Sequence, residues 1–185
     1  MSLPKPVRMS ADEFLVWLEK QDSGRYELAS GEVVAMAPEQ VAHNRVKAEV
    51  RRALRDAVRA SALSCQVFTD GMVVRIDDAT VYEPHATVRC GAPLDDDAIE
   101  FRDPVVVVEV VSPSTRARDA GAKLEDYFRL PAVRHYLLLR TDRKSIIHHA
   151  RDEAGIITTS VLTSGELALV PPGITVELAD IFATE

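Results

Sequence analysis

At 185 residues, 46% of them apolar and 5% aromatic, the chain is long enough to bury one sizeable core, and the prominence of Val and Ala suits α/β packing. Its net charge of −7 excludes a protein that coats nucleic acid through a bulk positive field, while leaving room for an enzyme that grips phosphates through a local patch. No apolar stretch approaches bilayer-spanning length, no signal-peptide pattern opens the chain, and Cys65 and Cys90 lack zinc-knuckle or disulfide-framework spacing, so a cytoplasmic protein with reduced thiols is expected.

Residues 1–8 read as a loose arm, and 9–185 as one domain. Ser10 and Glu13 form a capping-box pattern that opens a short helix through Leu18. Tyr26-Glu27-Leu28 and Val33–Met36 flank Ala29-Ser30-Gly31-Glu32 and predict a hairpin around a short turn. A long helix is expected from Pro38-Glu39 to about Ala60. Its inward stripe holds His43, Val46, Val50 and Leu54; Arg45, Lys47, Arg51, Arg52, Arg55 and Arg59 cluster in this segment, and the arginines read mostly as a solvated face.

Strands are expected at about 64–69, 71–76, 80–88 and 105–111, the third weakened by Pro84. A helix over 119–130 follows, stopped by Pro131, and then strands at about 134–139, 146–150, 156–161 and near Val176. Asp95-Asp96-Asp97 reads as a solvated loop. Strands and helices interleave without a regular βαβ rhythm, which favours a mixed α+β fold with a central mixed sheet flanked by helices. With neither a G-x-G-x-x-G nor a P-loop motif, no nucleotide cofactor is indicated.

The run Val105–Val111 reads as a strand buried on both faces, yet it carries Glu109. A buried carboxylate is costly without a compensating cation, metal or hydrogen bond. Glu109 shares a strand face with Val107 and Val111, and Asp119, Lys123 and Tyr127 share a helix face. A helix packing back on that strand brings Lys123 towards Glu109, either as a simple ion pair or as part of a site. Glu83 and His85, about 7 Å apart on one strand face, offer a carboxylate and an imidazole to a metal. Ser112 lacks a G-x-S-x-G elbow, and adjacent His148 and His149 point to opposite faces, so neither group is assigned chemistry.

These pieces together resemble the Uma2 (DUF820) family of endonucleases, a branch of the PD-(D/E)XK restriction-endonuclease-like superfamily. The resemblance runs from Met9-Ser10-Ala11-Asp12-Glu13-Phe14 to about Ile181-Phe182. It rests on Arg25-Tyr26-Glu27-Leu28, Ser30-Gly31-Glu32-Val33, Met36-Ala37-Pro38, His43-Asn44-Arg45 and Val108–Thr115 with Arg118-Asp119, Lys123 and Tyr127. It implies a DNA phosphodiesterase with Glu27, Glu109 and Lys123 as catalytic residues, Lys123 replacing the strand lysine because Val111 occupies that position. It further implies a divalent metal, Mg²⁺ by resemblance, held by Glu109 with His85 and Glu83, phosphate contacts from His43, Arg116 and Arg118, and a homodimer. One position departs: the family's Pro-Asp dipeptide falls at Pro84-His85. Three outcomes stay open, namely a silent site, a preference for Mn²⁺ or Zn²⁺ over Mg²⁺, or compensation by Glu83.

Overall fold

The computed structural model describes residues 8–111 and 119–183. Helix α1 (Ala11–Leu18) opens on the expected capping box: the Glu13 amide donates to Ser10 Oγ, and the Ser10 amide donates to Glu13 Oε2 at 2.8 Å. Strands β1 (Tyr26–Ala29) and β2 (Glu32–Ala35) pair around the two-residue loop Ser30-Gly31, with φ of 51° and 84°. Positive φ at both positions is the type I′ requirement, which a glycine meets without steric cost.

Helix α2 (Val41–Ala60) begins just after Glu39. The chain continues through β3 (Cys65–Thr69), β4 (Val73–Asp77), β5 (Thr80–Tyr82), β6 (Ala86–Cys90), β7 (Glu100–Phe101) and β8 (Val106–Val111). After α3 (Asp119–Arg129) come β9 (His135–Arg140), β10 (Ser145–Arg151), β11 (Ile157–Leu162), β12 (Glu166–Leu169), β13 (Ile174–Glu177) and the single turn α4 (Leu178–Ile181). Strands β7 and β12 and helix α4 were not legible as periodic segments.

The fold is the expected mixed α+β class. A six-stranded sheet runs β11-β10-β9-β8-β6-β3, with β8 and β9 parallel and every other pair antiparallel. Because parallel neighbours need a crossover, α3 carries the chain from β8 back to β9. A five-stranded sheet, β2-β1-β5-β4-β7, lies beside it. The expected strand over 80–88 is in fact two strands belonging to different sheets. Glu83-Pro84-His85 is the corner between them, where proline's missing N–H leaves no ladder bond to satisfy.

Alternate residues of β8 feed opposite cores. Val106, Val108 and Val110 pack with Val46, Val50 and Leu54 of α2, and Val107 packs with Tyr127 and Phe128 of α3. Burying the four valines contributes on the order of 6 kcal/mol, comparable with the several kcal/mol that one desolvated carboxylate costs. Strands β12 and β13 and α4 complete the α2 side of the core through Leu167, Leu169, Val176 and Ile181. Among the described residues, no helix is long and apolar enough to cross a membrane.

The arginines of α2 are exposed, in keeping with a solvated face, whereas Lys47 among them is buried. One expectation is corrected here. Cys65 and Cys90 are not free thiols but form a disulfide. They are direct cross-strand partners on β3 and β6, 25 residues apart, a proximity created by strand pairing and invisible in local spacing. Closing a loop of that length stabilises the fold by about 3 kcal/mol in the chain-entropy description. Urea denaturation with and without reductant should therefore differ by about that amount, and Cys90→Ser should reproduce the reduced curve.

Candidate active site

Three elements and the corner converge on one cleft of about 380 Å³, whose lining includes Glu27, Glu39, His43, His85, Glu109 and Lys123. Strand β1 supplies Glu27, the corner supplies His85, β8 supplies Glu109, and α3 supplies Lys123. Lys123 Nζ donates to Glu27 Oε1 at 2.7 Å and to Glu109 Oε1 at 3.0 Å. It also lies 4.9 Å from the centre of the Tyr82 ring, which adds a cation–π contact. Tyr127, one helical turn beyond Lys123, donates its hydroxyl to Glu109 Oε1 at 3.2 Å. The question posed by a buried Glu109 is thus answered by a cation, a phenol and an imidazole.

That imidazole is His85, whose Nδ1 lies 2.6 Å from Glu109 Oε2. The Val110 amide also points at Nδ1, at 3.1 Å, and one nitrogen cannot serve both. An unprotonated Nδ1 would set a lone pair against a carboxylate oxygen at 2.6 Å, so we assign the proton to Nδ1, donating to Glu109. This tautomer leaves the Nε2 lone pair facing the other way, 3.1 Å from His43 Nε2.

The charges tune one another. Burial pushes the Glu109 carboxyl up, but Lys123 and His85 outweigh it and hold Glu109 at about 2. Burial likewise pushes Glu27 up; Lys123 opposes this, the Glu109 charge adds to it, and the net shift is upward. Lys123 resists the downward pull of burial because both carboxylates hold it charged, above the ordinary lysine range. Burial and the neighbouring His85 depress His43 to about 4, so it is neutral near pH 7.

The sequence-expected residues Glu27, His85, Glu109 and Lys123 therefore meet, and His43 joins them through His85. Glu83 takes a different position: its Oε1 accepts from the Gly71 amide at 2.7 Å and from Arg25 Nε at 3.2 Å, and its amide donates to Glu27 Oε1. Arg116 and Arg118 lie outside the described residues. Sequence reasoning missed Glu39 as a site residue. Glu39 accepts from buried Lys47 at 2.6 Å and pairs with Arg25, and its Oε1 is 3.8 Å from His85 Nε2. Burial would raise its carboxyl, but Lys47, His43 and Arg25 bring it to about 2. The available signal was His43 and Lys47 four residues apart, polar groups one above the other at the start of an otherwise amphipathic helix, with Glu39 just before its N-cap Gln40.

Comparison with known proteins agrees with this frame. Residues 11–183 match the Uma2 family, whose description is "Putative restriction endonuclease". The chain is 28% identical over 176 residues to "Uncharacterized protein slr1290" of Synechocystis, covering 94% of this chain and 90% of that protein. Its fold is similar to the crystal structure of a "putative nuclease belonging to DUF820" from Anabaena variabilis, with a TM-score of 0.76 at 14% identity, across 95% of this chain and 98% of the other. With a family match spanning nearly the whole described chain, and a neighbouring structure of the same architecture, this chain belongs to the Uma2 family.

Proposed function

We propose that the chain is a divalent-metal-dependent DNA endonuclease. The observation that carries this reading is the convergence of Glu27, Glu109 and Lys123, each from a different element, in one cleft with Glu109 buried at its floor. Lys123 is the cation that meets the charge developing on a phosphate as a bond to water forms. Glu27, held above the ordinary carboxylate range, is the group suited to take the proton of that water. Tyr127 and His85 fix Glu109 in place, and His43, lining the same cleft, is assigned to phosphate contact in this reading. The reading includes a homodimer, in which two such sites address two strands.

The residues present do not make a cage for Mg²⁺, which wants six oxygen ligands in octahedral order. Both Glu109 oxygens already accept, one from Lys123 and Tyr127 and the other from His85. The residue opposite Glu109 offers nitrogen, and Glu83 is held by Arg25 and Gly71. The roles of Lys123 and Glu27 given above therefore do not depend on Mg²⁺. The same observation favours a second reading, a silent nuclease fold that binds nucleic acid or a protein partner without cutting.

Supercoiled plasmid incubated with Mg²⁺ or Mn²⁺ separates the two. Wild type should nick plasmid with Mn²⁺, and Glu109→Ala should lose at least about 100-fold in rate, the scale of one positioned group. A silent wild type with activity gained in His85→Asp identifies the second reading. Silence in every variant overturns the nuclease reading.

A further inference from the structure

The position that departs from the family also builds something. With its Nδ1 proton committed to Glu109, His85 presents Nε2 away from Lys123 and towards α2. There it meets His43 Nε2 at 3.1 Å and Glu39 Oε1 at 3.8 Å, and the ligand atoms of the three residues all lie within 4.8 Å of one another. In a tetrahedral site with bonds of about 2.0–2.1 Å, ligand atoms stand about 3.4 Å apart. These two separations bracket that spacing, and the third pair, Glu39 with His43, lies within 4.8 Å.

We propose that Glu39, His43 and His85 form a site for a borderline transition-metal ion of the Zn²⁺ or Co²⁺ class, on the far side of His85 from Lys123. Three features support it. Two imidazoles and one carboxylate are the donor set that leaves a fourth position open in zinc sites. Glu109 becomes the carboxylate behind a metal-binding histidine, accepting from its second nitrogen and raising its donor strength. The surrounding ion-pair network is also short of positive charge. Glu27, Glu39, Asp70, Glu83 and Glu109 are met by Arg25, Lys47 and Lys123, leaving two formal negative charges, the complement of a divalent cation.

Glu39 is the most contested of the three ligands, because Lys47 and Arg25 also hold it. It should accordingly contribute less to affinity than either histidine. The site bears on the proposed endonuclease only in its use, by specifying which metal the cleft holds; its occupancy is independent of cleavage.

The test is metal binding by the full-length, chelator-stripped protein without DNA, using Zn²⁺, Co²⁺ and Mg²⁺ in turn. One equivalent of Zn²⁺ should bind, and Co²⁺ should give the intense visible absorption of a tetrahedral site that Zn²⁺ then bleaches. Millimolar Mg²⁺ should not displace either metal. His43→Ala should weaken Zn²⁺ binding by about 100-fold, and Glu39→Gln and Glu109→Gln by about tenfold each. His85→Asp should shift preference towards Mg²⁺ and Mn²⁺. His43 sits half-buried on the first turn of α2, so His43→Ala tests the site even if a substitution at buried His85 disturbs folding. His148→Gln, at a histidine pair elsewhere, should leave binding unchanged. Absence of Zn²⁺ binding, or full affinity retained in His43→Ala, overturns the proposal. Metal binding without plasmid cleavage overturns only the endonuclease reading.

Discussion

Lys123→Met should destabilise the protein by about 3–5 kcal/mol at pH 8, far more than a surface lysine would. Lys123 is the shared counter-ion of two buried carboxylates, and its removal leaves Glu27 and Glu109 facing each other with no cation between them. Methionine keeps most of the stem that packs over Tyr82, so the loss measures charge more than volume. A distinctive pH dependence should accompany it. Without Lys123, the Glu27 carboxyl should rise further, and the folded state should bind a proton that the unfolded state does not. Stability is then regained as pH falls from 8 towards the ordinary carboxylate range, opposite in sign to wild type. Lys123→Arg, which keeps the charge, should lose less. Denaturant midpoints across pH for the three proteins would read this directly, and a Lys123→Met midpoint within about 0.5 kcal/mol of wild type would show that the cation is solvated and incidental.

Wild type should instead lose stability on acidification, along two limbs. The upper limb belongs to buried histidines. His135 Nε2 donates to the Pro171 carbonyl at 2.8 Å, which leaves its Nδ1 to accept from His148 Nε2 at 2.9 Å. Burial and the neighbouring His135 hold His148 at about 4, against 6.5 for a free imidazole. Between those values the unfolded chain takes up a proton that the folded chain refuses, so stability falls with pH through this window, by up to about 3 kcal/mol. His43 adds in the same direction. The lower limb belongs to Glu109, whose folded value near 2 lies below the unfolded 4.5; its contribution is complete above 4.5 and is lost as pH falls towards 2. Glu27, shifted upward, partly opposes this limb. In His148→Gln, where an amide nitrogen can replace Nε2–H, the slope between pH 6.5 and 4 should shrink. A wild-type midpoint that stays level across that range would contradict the assignment.

Glu109 and Lys123 were legible in the sequence because each breaks a strong pattern. An acid interrupts a run of valines, and a lysine shares a helix face with a tyrosine that has to pack inward. The hairpin that carries Glu27 was equally plain, since Ser-Gly between Tyr26-Glu27-Leu28 and Val33-Val34 leaves few alternatives. Pro84 announced a break but not its meaning, because a proline says where a ladder stops and nothing about which sheet each half joins. The burial of Lys47 was not legible for a related reason. A helical pattern assigns charged residues outward unless a partner is known, and its partners Glu39 and Asp70 lie before the helix and beyond β3. The His43–His85 contact depends on that same corner and was out of reach for periodicity.

The strand pair β3–β6 gives the disulfide a meaning beyond stability. The ladder runs from Cys65 opposite Cys90 to Thr69 opposite Ala86, and the next residue on each strand is Asp70 and His85. The covalent bond thus acts as a ruler laid along five residue steps, roughly 17 Å, with its zero at the far end and the imidazole at its tip. A one-residue slip would turn every side chain of the pair to the opposite face. Asp70 would then part from Lys47, and His85 from both Glu109 and His43. The alignment of the cleft is in this way tied to the oxidation state of two sulfurs that do not touch it.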